Sequence, residues 1–473
     1  MHKLKRVPSG IEGLDRVLNG GFIEGAAYII QGLPGAGKTI LSNQIAFSHT
    51  ANGGKVLYVT LLAETHERLF QALATLSFYD AEKVGQDIVY ISVFKALRDD
   101  GLDAIVQLLR SETKRHGATL LVFDGLLNAR HRADTDLDVK TFVAEIQSQA
   151  AFVGCTVLFL TSTPLDDSSP EHTMVDGVID LSDELFGLRT IRQLQVRKSR
   201  ASASLNGLHQ FEISDKGITV YPRMERASNL QPQASVPAFS RVSLGTAGLD
   251  ELVLGGVPSG SVTLVGGPAG SGKTTLGLHF LSKGNAAEPA LHFGFYETPA
   301  RLRRKAQELN ISLPSDSSFG IIWNPISENL LDKLGHQLLE EVRGKNVRRL
   351  FIDGLGGFEQ SAGMPTRLAQ FFYVLTNQLR EMGVTTILTL ECEEVLSAPS
   401  RLPPHPTSAL IDNMILLGLT QNQCGLQRHI AVRKMRDSAF IPTPCEFDLT
   451  DQGLVVGKPL ASSIEDVANR DVS

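Results

Sequence analysis

The segment VPSGIEGLDRVLNGGFIEGAAYIIQGLPGAGKT, residues 7–39, lies without a gap over VSLGTAGLDELVLGGVPSGSVTLVGGPAGSGKT, residues 242–274, at a constant offset of 235 residues. Gly10, Gly13, Leu14, Asp15, Gly20, Gly21 and Gly25 return as Gly245, Gly248, Leu249, Asp250, Gly255, Gly256 and Gly260. Solenoid repeats run about 20–50 residues, so a period this long describes whole domains. The chain must fold as one architecture built twice.

Each copy ends in G-x-x-x-x-G-K-[ST], as GLPGAGKT and GPAGSGKT. In this pattern Gly32, Gly35 and Gly37, and likewise Gly267, Gly270 and Gly272, let backbone N–H groups turn inward around phosphate oxygens at a helix N-terminus. Lys38 and Lys273 are placed to reach the β- and γ-phosphates, and the Thr39 and Thr274 hydroxyls to ligate Mg²⁺. A glycine-rich turn followed by a surface lysine would explain one match by chance. It does not explain two in equivalent contexts.

Apolar runs alternate with helical spacing in both halves. AAYIIQ and SVTLVG precede the P-loops, ILSNQIAF and TLGLHFL follow them, and later come KVLYVTLL, TLLVFDG and CTVLFLTS, then PALHFGFY, RRLFIDG and TTILTLE. This pattern predicts an α/β fold in each half, a mostly parallel sheet with helices on both faces and ligands at the strand carboxyl ends. The stretch MERASNLQPQASVPAFSR, residues 224–241, is Ser-, Gln-, Pro- and Ala-rich without periodicity and reads as a linker. The expected layout is a first domain over 1–223, a second over 242–457, and a polar tail over 458–473.

Composition narrows the partners. With 42% hydrophobic and 20% charged residues the chain resembles ordinary α/β proteins, and its net charge of −6 argues against a dedicated DNA-binding surface. The basic cluster RLRRK, residues 301–305, reads as one solvated helix face. No apolar run of about 18 residues is present, and MHKLKRVPSG is not followed by an apolar signal core, so a cytoplasmic location without a membrane span is expected. Cys155, Cys392, Cys424 and Cys445 lack C-x-x-C spacing and are expected to be reduced.

Two strand ends carry carboxylates. Asp124 follows LLVF and Asp353 follows RLFI, the position at which an aspartate holds Mg²⁺ in P-loop enzymes; an ordinary turn cap is the alternative. Glu64 and Glu297, in LYVTLLAETHERL and HFGFYETPARL, fall where a carboxylate faces the γ-phosphate, or simply beside a helix start.

Taken together, the paired P-loops, the openings SGIEGLDRVLNGGF and LGTAGLDELVLGGV, and the closing blocks VRKSRASASLNGLHQFEISDKGITVYPR and VRKMRDSAFIPTPCEFDLTDQGLVV resemble the KaiC family, RecA-type ATPases of the cyanobacterial circadian clock and their relatives. The resemblance covers both halves and implies two tandem RecA-like P-loop NTPase domains. It further implies a homo-hexameric double ring with ATP and Mg²⁺ at subunit interfaces. In relatives a Lys-x-Arg pair reaches the neighbouring subunit's ATP, and Lys198 with Arg200 and Lys434 with Arg436 match it. The resemblance also suggests autophosphorylation in the second domain and a KaiB-like or signalling regulator.

Departures from the family accompany these matches. Ala63 and Tyr296 stand where clock members have the first of two adjacent glutamates, leaving Glu64 and Glu297. The family's Ser-Thr phosphoacceptor pair aligns with Ser408 and Ala409, with Thr407 adjacent, so Ser408 is the candidate acceptor. Three function classes follow: an ATP-hydrolysing ring with serine autokinase activity in timekeeping or signalling, a non-kinase ATP-gated scaffold, and a RecA-like DNA-dependent ATPase. Salt-sensitive DNA binding with DNA-stimulated turnover would mark the third.

Overall fold

The computed structural model describes residues 4–61, 66–133, 135–162, 169–227, 240–326, 329–392, 410–422 and 425–460. Glu64 with Ala63, Ser408 with Thr407 and Ala409, Cys424, most of the expected linker and the tail from residue 461 lie outside the described residues. The chain divides into two compact units, Met1–Ala227 and Ser228–Ser473.

Each unit contains a nine-stranded sheet. In the first, six parallel strands run in the order Ile88–Ser92, Val56–Thr60, Leu120–Asp124, Thr156–Thr161, Ala27–Gln31 and Gly177–Phe186. Arg189–Ser199, His209–Ser214 and Gly217–Tyr221 extend it antiparallel. The second repeats this order with Phe319–Trp323, Ala290–Gly294, Arg349–Asp353, Thr385–Glu391, Val262–Gly267 and Asn413–Asn422, then antiparallel Gly425–Met435, Cys445–Thr450 and Gly453–Pro459. The duplication read from the sequence is thus a duplication of topology, with the closing blocks supplying the antiparallel strands.

Side-chain alternation explains why the central strands are apolar throughout. Along Ala27–Gln31, Tyr28 and Ile30 face one core with Leu41 and Ile45 of helix Lys38–Ala51. Ala27 and Ile29 face the other, with Ile105 and Leu109 of helix Gly101–His116 and Phe142 and Ile146 of helix Asp136–Phe152. Neither face meets water, so both alternating sets must be apolar. In the second unit Val265 packs with Leu276 and Phe280 on one face. Phe293, Phe295, Phe358, Phe371 and Phe372 form an aromatic cluster, with the Phe295 and Phe358 centroids 5.2 Å apart. A fully buried phenylalanine contributes about 1.5–3 kcal/mol, so clusters like these anchor each sheet.

The RLRRK cluster lies on helix Pro299–Glu308, N-capped by Thr298; Leu302 and Ala306 are buried while Arg301, Arg303 and Arg304 are exposed. Among the described residues no helix is long and apolar enough to cross a membrane, and Cys155, Cys392 and Cys445 are free thiols.

Candidate functional site

Both P-loops leave the carboxyl end of a central strand and enter a helix at its lysine, Lys38 in Lys38–Ala51 and Lys273 in Lys273–Ser282. Two glycine positions in each are dictated by geometry. Gly37 and Gly272 cap the helices at φ 100° and 101°, a left-handed conformation costly for any side chain. A Cβ on Gly32 or Gly267 would sit 2.3 Å or 2.4 Å from the backbone oxygen of Leu181 or Leu417 on the adjoining strand. The start of the loop therefore hugs the adjoining strand.

Each lysine folds onto the loop. Lys38 Nζ donates to the carbonyls of Gly32 at 2.7 Å and Leu33 at 2.9 Å. Lys273 Nζ donates to Gly267 and Pro268, both at 2.7 Å. Burial lowers the pKa of both ammonium groups, opposed by Asp124 in the first site and by Glu391, Cys392 and Asp353 in the second. A triphosphate would exchange carbonyl contacts for stronger charge-assisted ones.

The two strand-end carboxylates sit in different settings. Asp353 Oδ2 accepts from Thr274 Oγ1 at 2.9 Å and Oδ1 accepts from Thr389 Oγ1 at 2.8 Å. His292 Nε2 stands 3.9 Å from Oδ2, an electrostatic contact too long for a hydrogen bond. Burial pushes the Asp353 carboxyl up, but His292 and the two hydroxyls outweigh it and hold it below the usual range. Thr389 also fixes the following turn, accepting Gly354 N–H on its hydroxyl at 2.7 Å and Leu355 N–H on its carbonyl at 2.9 Å.

The first unit keeps Thr39 in place of Thr274 but lacks the two donors that neighbouring strands supply. Strand register places Tyr58 and Leu160 where the second unit has His292 and Thr389. Burial pushes Asp124 up to about 6, with Lys38 as the opposing charge. Its folded pKa lies above the unfolded value, so the folded state keeps a proton that the unfolded chain has released. Stability from this group is lost as pH rises from about 4 to about 6. Asp124→Asn should therefore raise the melting temperature of the nucleotide-free chain at pH 7 and flatten that pH slope. A lower melting temperature for the variant at pH 7 would contradict this placement.

Each site offers one hydroxyl and one carboxylate, the hard oxygen donors that suit Mg²⁺, an ion that keeps several waters and shares phosphate oxygens. Among the described residues no cluster of three His, Cys, Asp or Glu side chains forms a larger metal site. The direct contact between Thr274 and Asp353 shows two such donors already converged.

Glu297 lies just ahead of helix Pro299–Glu308 and forms an ion pair with Lys305 at 3.3 Å. Lys198 pairs with Val178, at the level of Ile29, and Arg200 N–H bonds Asp176, whose own N–H bonds Ala27. At about 3.3 Å per residue, the backbones of these residues lie roughly 10–17 Å back along the sheet from Gly32. Lys198 Nζ donates to His172 O, and Arg200 Nη2 to Thr173 O at 2.8 Å. Lys434 and Arg436 occupy the same places in the second unit, bonded to Ile411 O and facing Asp412. The backbones of both pairs are thus set back from their own unit's P-loop, and Arg200 and Arg436 are exposed.

The sequence reading missed several groups near the loops. Arg192 Nη1 donates to Gly35 O at 3.0 Å from the first antiparallel strand, and the repeat places Arg428 at the matching position. Thr389 and Glu391 were equally unmarked, because they belong to an apolar strand and no motif spacing singles them out.

A KaiC ATPase family model matches residues 7–225 and again 242–461. The circadian clock oscillator protein KaiC of Prochlorococcus marinus subsp. pastoris is 24% identical over 477 residues, covering 95% of this chain and 90% of that protein. The KaiC proteins of Thermostichus vulcanus and Synechococcus elongatus are 25% and 24% identical, covering 95% and 94% of this chain and 89% and 87% of their own lengths. With both repeats matched, two RecA-like α/β units and a P-loop in each, this chain belongs to the KaiC family of ATPases.

Proposed function

We propose that the chain binds Mg-ATP at both P-loops and hydrolyses it within a homo-hexameric double ring, in which Lys198 with Arg200 and Lys434 with Arg436 act on the neighbouring subunit's nucleotide. The observation that carries this reading is the position of those pairs, set back from their own P-loops with the arginines exposed. A cation delivered in trans stabilises charge on the γ-phosphoryl group only after assembly, so turnover follows oligomerisation. Thr39 with Asp124 and Thr274 with Asp353 would hold Mg²⁺, which neutralises phosphate charge when bound. Glu64 and Glu297 are the carboxylates that the motif spacing nominates for orienting the nucleophile.

In the second unit the same chemistry would serve a serine autokinase. The Ser408 oxygen would bond to the γ-phosphorus as the bond to the leaving ADP oxygen breaks, its proton passing to a carboxylate. Added phosphate carries about −1.5 to −2 charges, which fits a switch used in timekeeping or signalling with a KaiB-like or other regulator. Incubation of the purified chain with Mg-ATP should label Ser408, and Ser408→Ala should remove the label while sparing first-unit ATP turnover. Absence of any phosphorylated residue between 401 and 412 would leave the ATP-gated scaffold in place of the kinase.

A further inference from the structure

The carboxylate that the motif spacing nominates in the second unit, Glu297, is held by Lys305. Another stands at the phosphate end of the sheet. Strand Thr385–Glu391 runs between the P-loop strand and the strand ending in Asp353. Its last residue, Glu391, pairs with Gly267, the first glycine of the loop. The next N–H, from Cys392, donates to Gly267 O at 3.3 Å, and the same carbonyl accepts Lys273 Nζ at 2.7 Å. The Glu391 backbone is therefore fixed against the P-loop.

Alternation fixes the face of its side chain. Thr389 lies two residues earlier on the same face, and its hydroxyl touches Asp353 Oδ1 at 2.8 Å. Glu391 continues that face beyond the metal-side aspartate and is exposed at the strand end. Its charge is the foremost one acting on the Lys273 ammonium and on the Tyr296 phenol, ahead of Asp353 in both cases. The first unit offers no equivalent carboxylate: Thr161 pairs with Gln31, so Ser162 follows at the level of Gly32.

We infer that Glu391 is the carboxylate that orients and deprotonates the attacking water at the second nucleotide site. This rests on the ATP-hydrolysing reading above. The water oxygen forms a bond to the γ-phosphorus while the bond from phosphorus to the β,γ-bridging oxygen breaks, leaving its electron pair on ADP. The water proton passes to the Glu391 carboxylate and on to solvent. Lys273 offsets the repulsion between this carboxylate and the bound triphosphate.

The test compares steady-state ATP turnover and fluorescent ATP-analogue binding for the full chain and for Lys273→Ala, Glu391→Gln, Glu391→Asp and Glu297→Gln. Second-site turnover is the portion lost in Lys273→Ala. Positioned acid–base groups contribute roughly 10²–10⁴-fold, so Glu391→Gln should remove at least about tenfold of that portion through kcat, with nucleotide affinity changed less than about twofold. Glu391→Asp should restore part of it, and Glu297→Gln should cost less than Glu391→Gln. Retained or increased Lys273-dependent turnover in Glu391→Gln would overturn the inference while leaving the ATPase reading intact. No Lys273-dependent turnover in the unsubstituted chain would overturn both.

Discussion

Lys38→Ala is expected to abolish productive nucleotide binding at the first site and to weaken assembly, because nucleotide bridging neighbouring subunits would be lost. The Lys38 ammonium is buried and held by the Gly32 and Leu33 carbonyls. Its release to the β- and γ-phosphates replaces neutral acceptors by charged ones, and hydrogen bonds to charged groups contribute about 1.5–3 kcal/mol each. Losing two such bonds predicts a fall in first-site affinity of at least roughly a hundredfold. Lys273→Ala should act mainly on the second site, whose lysine makes the same two contacts with Gly267 and Pro268. Equilibrium nucleotide binding and native mass provide the measurement, with thermal melts reporting whether the loop itself has been damaged. Unchanged native mass and unchanged turnover in Lys38→Ala would contradict the account.

The second large effect is expected from Arg200→Ala. Arg200 is exposed, bonded to Thr173 O, and set back along the sheet from its own P-loop. Its loss should leave ATP binding nearly intact and slow first-site hydrolysis, by up to roughly the 10³–10⁵-fold associated with arginine fingers. The informative form of the experiment mixes subunits. Arg200→Ala chains retain a complete P-loop face and Glu64→Gln chains retain the arginine, so a mixed assembly contains some interfaces with both groups. Turnover should exceed the sum of the two separate variants. No restoration in verified mixed assemblies would place the arginine's action within its own chain. Arg436→Ala should behave in the same way at the second site.

The sequence disclosed the fold through repetition and apolar strands, because central strands buried on both faces leave nothing else they could be. The P-loop glycines Gly32 and Gly267 were legible for a similar reason: close approach to Leu181 O and Leu417 O excludes a side chain. The edge strands Ile88–Ser92 and Phe319–Trp323 were not singled out, since they are only partly buried and carry no motif residue. What the sequence could not disclose was the contrast between Asp124 and Asp353. It depends on residues supplied by neighbouring strands, Tyr58 and Leu160 against His292 and Thr389, which register alone brings to the carboxylate. Glu391 escaped notice for the same reason, since only pairing with Gly267 shows that the end of an apolar run lies at a phosphate loop. The two sites of one duplicated chain have thus kept their loops and diverged in the groups behind them.

This divergence has meaning only if both sites are used. The most direct measurement is native mass spectrometry of the full chain with Mg-ATP, counting nucleotides in the assembled species. An ATP-dependent ring carrying two nucleotides per chain is expected, reduced to one per chain when either P-loop lysine is replaced in an assembly that survives. A monomer that stays monomeric with saturating Mg-ATP, or an assembly with a single nucleotide per chain that is unaffected by Lys273→Ala, would contradict it.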